Sequence, residues 1–125
     1  MNFQSNLFMI VLLMATFFTS CSQKRSFESD EWKEVSGEEL IKGVFDGKTK
    51  RELMAEDLLD NGLLNGKHYH EVQDLLGQQQ MHDQSVEYEL VERYRWNIDP
   101  EEIVYLKVIF DRDSFAQEVK VDGRR

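Results

Sequence analysis

The chain has 125 residues, a length suited to one domain, and none of its 15 basic or 24 acidic side chains precedes Lys24. The formal net charge of -9 disfavours nucleic acid, because phosphate binding needs clustered Lys and Arg. It equally disfavours attraction to anionic lipid heads, so any membrane attachment should come from the uncharged N-terminal stretch. The single cysteine, Cys21, excludes an internal disulfide.

Leu7–Phe18 reads LFMIVLLMATFF, an apolar run of 12 residues. A bilayer-spanning helix needs about 20, so the run fits the apolar core of a signal peptide better. Thr19 and Ser20 are small, and Cys21 follows. Thr-Ser-Cys resembles the lipobox of bacterial lipoproteins. The resemblance implies a diacylglyceryl group on the Cys21 sulfur and cleavage after Ser20. Phe18 stands where an aliphatic residue is usual, and Met1–Asn6 contains no Lys or Arg. An uncleaved anchor over Phe3–Ser22 and a plain secretory signal remain open as alternatives. No Asp follows the cysteine, which favours the outer membrane, facing the periplasm, over the inner one.

Ser22–Asp30 is polar with one Phe and reads as a tether reaching at most about 30 Å. The expected organisation is therefore a signal peptide over 1–20, lipidated Cys21 and tether over 21–30, and a domain over 31–125. Ser36 and Glu39 have capping-box spacing and predict a short helix ending near Gly43. Thr49 and Glu52 repeat that spacing ahead of an apolar stripe, Met54, Ala55, Leu58 and Leu59, which Asn61-Gly62 stops. A second clear helix is expected from Tyr69 to Leu76, with Val72, Leu75 and Leu76 on one face and Gly77 ending it.

After Gly77 the period changes to two. Val86, Tyr88 and Leu90 alternate with Glu87 and Glu89; Leu106, Val108 and Phe110 share a face; Phe115, Gln117, Val119 and Val121 share another. Asp111–Ser114 reads as a tight hairpin connection. The expectation is an α+β unit, two helices packed on a three-stranded antiparallel sheet, with Leu58, Leu75, Val108 and Phe110 in its core.

Arg51, Met54, Asp57, Leu58 and Leu59, then Leu63, Leu64, Gly66 and Lys67, then Val72, Leu75, Leu76 and Gly77, form a spaced pattern. It continues through Tyr88, Leu90 and Tyr105–Asp111, with Phe27, Trp32 and Lys33 upstream. The pattern resembles small bacterial lipoproteins of the BamE-like (SmpA/OmlA) family, over roughly Phe27 to Val121. His68, Gln79 and Val91 depart from it, where a Ser or Thr cap, a proline and a glycine are common. The resemblance implies two helices on a three-stranded sheet and an accessory role in outer-membrane assembly or envelope integrity.

His68, His70 and His82 suggest a metal, but residues two apart on a helix do not face together, so no metal or other cofactor is expected. Glu56/Asp57 and Glu101/Glu102 are the adjacent acidic pairs expected of an acidic chain. Ser85 and Ser114 lack a nucleophile elbow, and no phosphate-binding glycine loop occurs. The reading is a non-enzymatic, lipid-anchored binding or scaffold module with a protein partner in the envelope. An inhibitor or immunity-type protein that occludes a partner enzyme is the alternative. The candidate partner surface is Glu92–Glu101, with Tyr94, Arg95, Trp96 and Ile98 as contact residues and Arg93 and Arg95 as a local basic patch. Against it stands the reading that Trp96 folds back over the core or sheet edge.

Overall fold

A computed structural model describes residues 24–96 and 98–125. The expected signal peptide, the expected lipidation site Cys21 and the first part of the expected tether lie outside these residues. The class is α+β, but the expected three-stranded antiparallel sheet with two helices is corrected. Among the described residues four strands form a mixed sheet in the order β1-β2-β3-β4, and three α-helices accompany it.

Helix α1, Ser29–Glu34, begins inside the segment read as a tether. That segment is fastened to the fold: the Phe27 N–H donates to the Asp57 carboxylate at 2.7 Å, and the Phe27 ring meets Trp32 edge-on. Trp32 is completely buried. Ser29 Oγ and Lys33 Nζ donate to the carbonyl oxygens of Leu75 and Asp74, tying α1 to the end of a later helix.

The expected helix over Ser36–Gly43 does not form. Gly37–Leu40 is one 3-10 turn without a side-chain cap, and Ile41–Gly43 is a strand, β1. Gly37 weakens helix propagation, and the backbone of Ile41–Gly43 finds partners in β2 instead. It runs parallel to β2, with Ile41 opposite Glu92 and Gly43 opposite Tyr94.

Helix α2, Lys50–Asp60, opens on the complete capping box of Thr49 and Glu52. Thr49 Oγ1 also donates to the Leu90 carbonyl at 2.7 Å, so one hydroxyl caps the helix and satisfies the sheet edge. Gly62, at φ +57°, reverses the chain after the helix. Helix α3, Tyr69–Leu76, has His68 as its N-cap residue, whose ring accepts from the His70 N–H. Gly77 ends α3, and its carbonyl accepts from the Tyr88 hydroxyl at 2.7 Å.

The main sheet is β2, Ser85–Tyr94, β3, Glu102–Phe110, and β4, Ala116–Arg124, paired antiparallel in succession. Helices α2 and α3 and Trp32 cover one face over Val86, Tyr88, Leu90, Leu106, Val108 and Phe110. Two β-bulges shift the alternation. Between Glu89 and Val91 an extra residue turns both Leu90 and Val91 inward. In β4, Ile109 faces Glu118 while Phe110 faces Ala116, so Gln117 is the extra residue. Ala116 therefore joins Val119 on the core side, and Phe115, expected to share a face with Val119, is instead partly exposed with its ring edge-on against His68.

Leu58, Val108 and Phe110 are buried as expected, whereas Leu75 is only partly buried and Leu76 points fully inward. The hairpin at Asp111–Ser114 holds: the Asp111 carboxylate accepts from the Asp113 and Phe115 N–H groups, and Ser114 takes φ +69°.

Candidate functional site

Because β1 and β2 are parallel, their C-terminal ends leave the sheet side by side. The Val44 N–H donates to the Tyr94 carbonyl at 2.9 Å, which fixes the two exits against each other. The loop after β1 exposes Phe45 and the loop after β2 exposes Trp96 and Ile98, at 88%, 83% and 97%. Trp96 does not fold back over the core. Burying an aromatic or branched aliphatic side chain is worth about 1.5–3 kcal/mol, a gain this end of the molecule leaves unused.

The Phe45 loop is held firmly. Asp46 accepts from the Gly43 N–H at 2.7 Å. Arg93 donates to the carbonyls of Gly43 and Asp46 and bonds Glu52 at 2.8 Å. Arg95 pairs with Glu101 at 3.3 Å. The expected basic patch is therefore corrected: Arg93 is engaged inside the fold and Arg95 is neutralised by a neighbour. Arg95, Glu101, Glu102 and Arg125 keep this end of the sheet charged in both signs, and Phe45, Trp96 and Ile98 stand out from it as exposed apolar groups. Tyr94 lies at the last position of β2, half-buried, with its hydroxyl donating to the Glu92 carboxylate at 2.9 Å. The four sequence candidates thus fall into two sets. Trp96 and Ile98 form the exposed rim with Arg95 beside them, while Tyr94 belongs to the sheet surface. Phe45 was missed because only the parallel pairing brings it to this end.

The sheet face turned away from the helices carries the second notable group. Glu89 lies opposite Tyr105, and Glu92 opposite Ile103. The bulge between them sets both carboxyls on this face as near neighbours. Burial, then the adjacent Glu92 carboxyl, pushes Glu89 up to about 7, against the pull of Arg51. Glu92 is lowered, held ionised by bonds from the Glu89 carboxyl and the Tyr94 hydroxyl.

The remaining candidates have structural roles or none visible. Asp57 receives the Phe27 N–H and the Asn61 side chain, and Glu56 pairs with Lys48. Ser85 Oγ donates to the His82 carbonyl. The His68 and His70 rings lie 5.0 Å apart, but His82 belongs to a separate turn between α3 and β2. Among the described residues no three His, Cys, Asp or Glu side chains are placed to hold a metal ion. Also among them, no helix is long and apolar enough to cross a membrane.

No protein-family model matches the chain, and neither a curated protein nor a solved structure matches it.

Proposed function

We propose that this protein is a lipid-anchored envelope lipoprotein that works as a non-catalytic binding or scaffold module, in the manner of the BamE-like family it resembles, in outer-membrane assembly or envelope integrity. The observation that carries the binding role is the apolar rim of Phe45, Trp96 and Ile98, presented by two loops at one end of the sheet. Exposed apolar groups gathered in one place on a small domain favour a protein contact. Lys24–Ser26 lie beside the last two turns of α2, near Glu56, Asp57 and Asn61. The rim lies beyond the first turn of the same helix, where Glu52 meets Arg93. Eleven helical residues span about 16 Å, and Cys21 is only three residues before Lys24. A lipid on Cys21 would therefore hold the domain by one end and turn the rim toward a protein in the envelope.

The outer sheet face favours a second reading. Glu87, Glu89 and Glu92 follow one another along β2, an acidic row of the kind that occludes a basic enzyme cleft in an inhibitor or immunity-type protein.

The test is co-purification after mild solubilisation, with the full chain and its Trp96→Ala form side by side. Recovery of an outer-membrane β-barrel assembly complex with the wild type, and its loss with Trp96→Ala, supports the scaffold reading. Recovery of a soluble hydrolase instead supports inhibition. The mass of the extracted protein reports the anchor: an acylated N-terminal Cys21 is expected, and an intact Met1 would refute it.

A further inference from the structure

The Glu89–Glu92 pair has no counterpart in the binding rim and stands independently of the partner reading. Three residue steps separate the two carboxylates on β2, while their partners Tyr105 and Ile103 are two steps apart on β3. Leu90 is the surplus residue, and without it Glu92 would turn to the helix side. The Glu89 Oε1 atom is shut away from water and finds no donor among the described residues. An ionised carboxylate in that position would add to the negative charge of the neighbouring Glu92 carboxylate. A proton on Glu89 converts the repulsion into a hydrogen bond.

Arg51 draws Glu89 toward the ionised form, but less than burial and Glu92 oppose it. On β2 itself, Tyr94 serves Glu92, and Glu87 is engaged by Arg124. From β3, Tyr105 faces Glu89, and Lys107 faces Glu87. From β4, Asp122 lies across Tyr105, and Arg124 rests 5.0 Å over the Tyr105 ring. From α2, Arg51 bonds the Glu89 backbone carbonyl at 3.1 Å rather than its carboxylate, and Glu52 is turned to Arg93. Beyond β2, Asp99 adds a further negative charge near Tyr94. From β1, Ile41 is the partner of Glu92.

We propose that Glu89 and Glu92 share one proton and act as a pH-sensitive latch on the outer sheet face, loosening the β1–β2 end when that proton is lost. The proton leaves the Glu89 carboxyl for solvent. Two carboxylates then face one another beside the short segment where β1 holds to β2.

The sign follows from the two directions. Glu89 is raised in the folded chain, so its contribution is complete below the ordinary carboxylate range and disappears as pH rises through about 7. Glu92 is lowered, so its contribution is present above that range and is lost only on acidification. The pair stabilises the sheet best in weak acid.

The test uses the full chain in detergent with 13C-labelled glutamate carboxyls. A resonance missing in Glu89→Gln should titrate near pH 7 in the wild type. Glu92→Gln should move that midpoint back toward the ordinary value of about 4.3. The Ile41–Gly43 amide resonances should shift with the same midpoint in the wild type and stay still in Glu89→Gln. A Glu89 midpoint in the ordinary range overturns the pair. A midpoint that stays near 7 in Glu92→Gln reduces the effect to burial and overturns the shared proton. Silent β1 amides overturn the latch. Glu87→Gln, outside the pair, should leave the Glu89 midpoint in place.

Discussion

Arg51 holds Trp32 in two ways at once: its guanidinium lies 5.0 Å from the centre of the indole ring, and its Nε and Nη2 donate to the Trp32 carbonyl oxygen at 3.2 and 3.0 Å. Its remaining donor, Nη1, reaches the Glu89 carbonyl at 3.1 Å. One side chain from the first turn of α2 thus joins α1, α2 and β2. Arg51→Ala should leave two carbonyl groups without their donor and remove the cation from the ring face. The expected cost is about 2–4 kcal/mol, read as a lower urea midpoint of the full chain. Arg51→Lys should recover only part of it, since an ammonium cannot reproduce the planar fork.

Leu75 and Leu76 are chain neighbours with different burial, and truncation should separate them. Leu76→Ala removes a fully buried side chain and is expected to cost about 2–5 kcal/mol. Leu75 is only partly buried against the core, so Leu75→Ala should cost less than half as much. Parallel melting curves measure the difference, and equal losses would contradict the assigned face of α3.

Asp83 and Gln84, at φ +49° and +60°, form the two central positions of the turn closed by His82 and Ser85. Such a turn favours glycine at its second central position, because a side chain there meets the backbone. Gln84→Gly should therefore stabilise the chain by about 1 kcal/mol, despite the loss of a side chain. Chemical denaturation of the two forms checks it, and a destabilised variant would mean the Gln84 side chain makes a contact of its own.

Local pattern made α2, α3 and the three long strands readable, because their signals are internal to each element. The capping box of Thr49 and Glu52 and the glycine stop at Gly77 need no distant partner. The same spacing at Ser36 and Glu39 misled, since β1 is defined by pairing with residues about 50 positions away. Phe115 was assigned to the face of Val119 for a related reason. Alternation assumes an unbroken ladder, and the bulge at Gln117 hands the inward place to Ala116. The candidate surface was legible in half. Trp96 and Ile98 stand out in a polar stretch, whereas Phe45 joins them only through the parallel strand exits. The Glu89–Glu92 pair was hidden by the other bulge, which no residue type announces.

The two tryptophans provide the last prediction, because they lie at opposite extremes of burial. Trp32 is enclosed by Phe27, Arg51 and Tyr88, and Trp32→Ala should cost about 3–5 kcal/mol, enough to threaten folding of a small domain. Trp96 has no comparable enclosure and 83% of its surface is free. Trp96→Ala should therefore leave the melting temperature of the full chain within about a degree or two, matching a change of no more than about 0.5 kcal/mol. The same variant should lose partner capture, and Phe45→Ala should do so as well from the neighbouring loop. A Trp96→Ala protein that melts early without a binding defect would assign Trp96 to the fold and remove the rim as a docking surface.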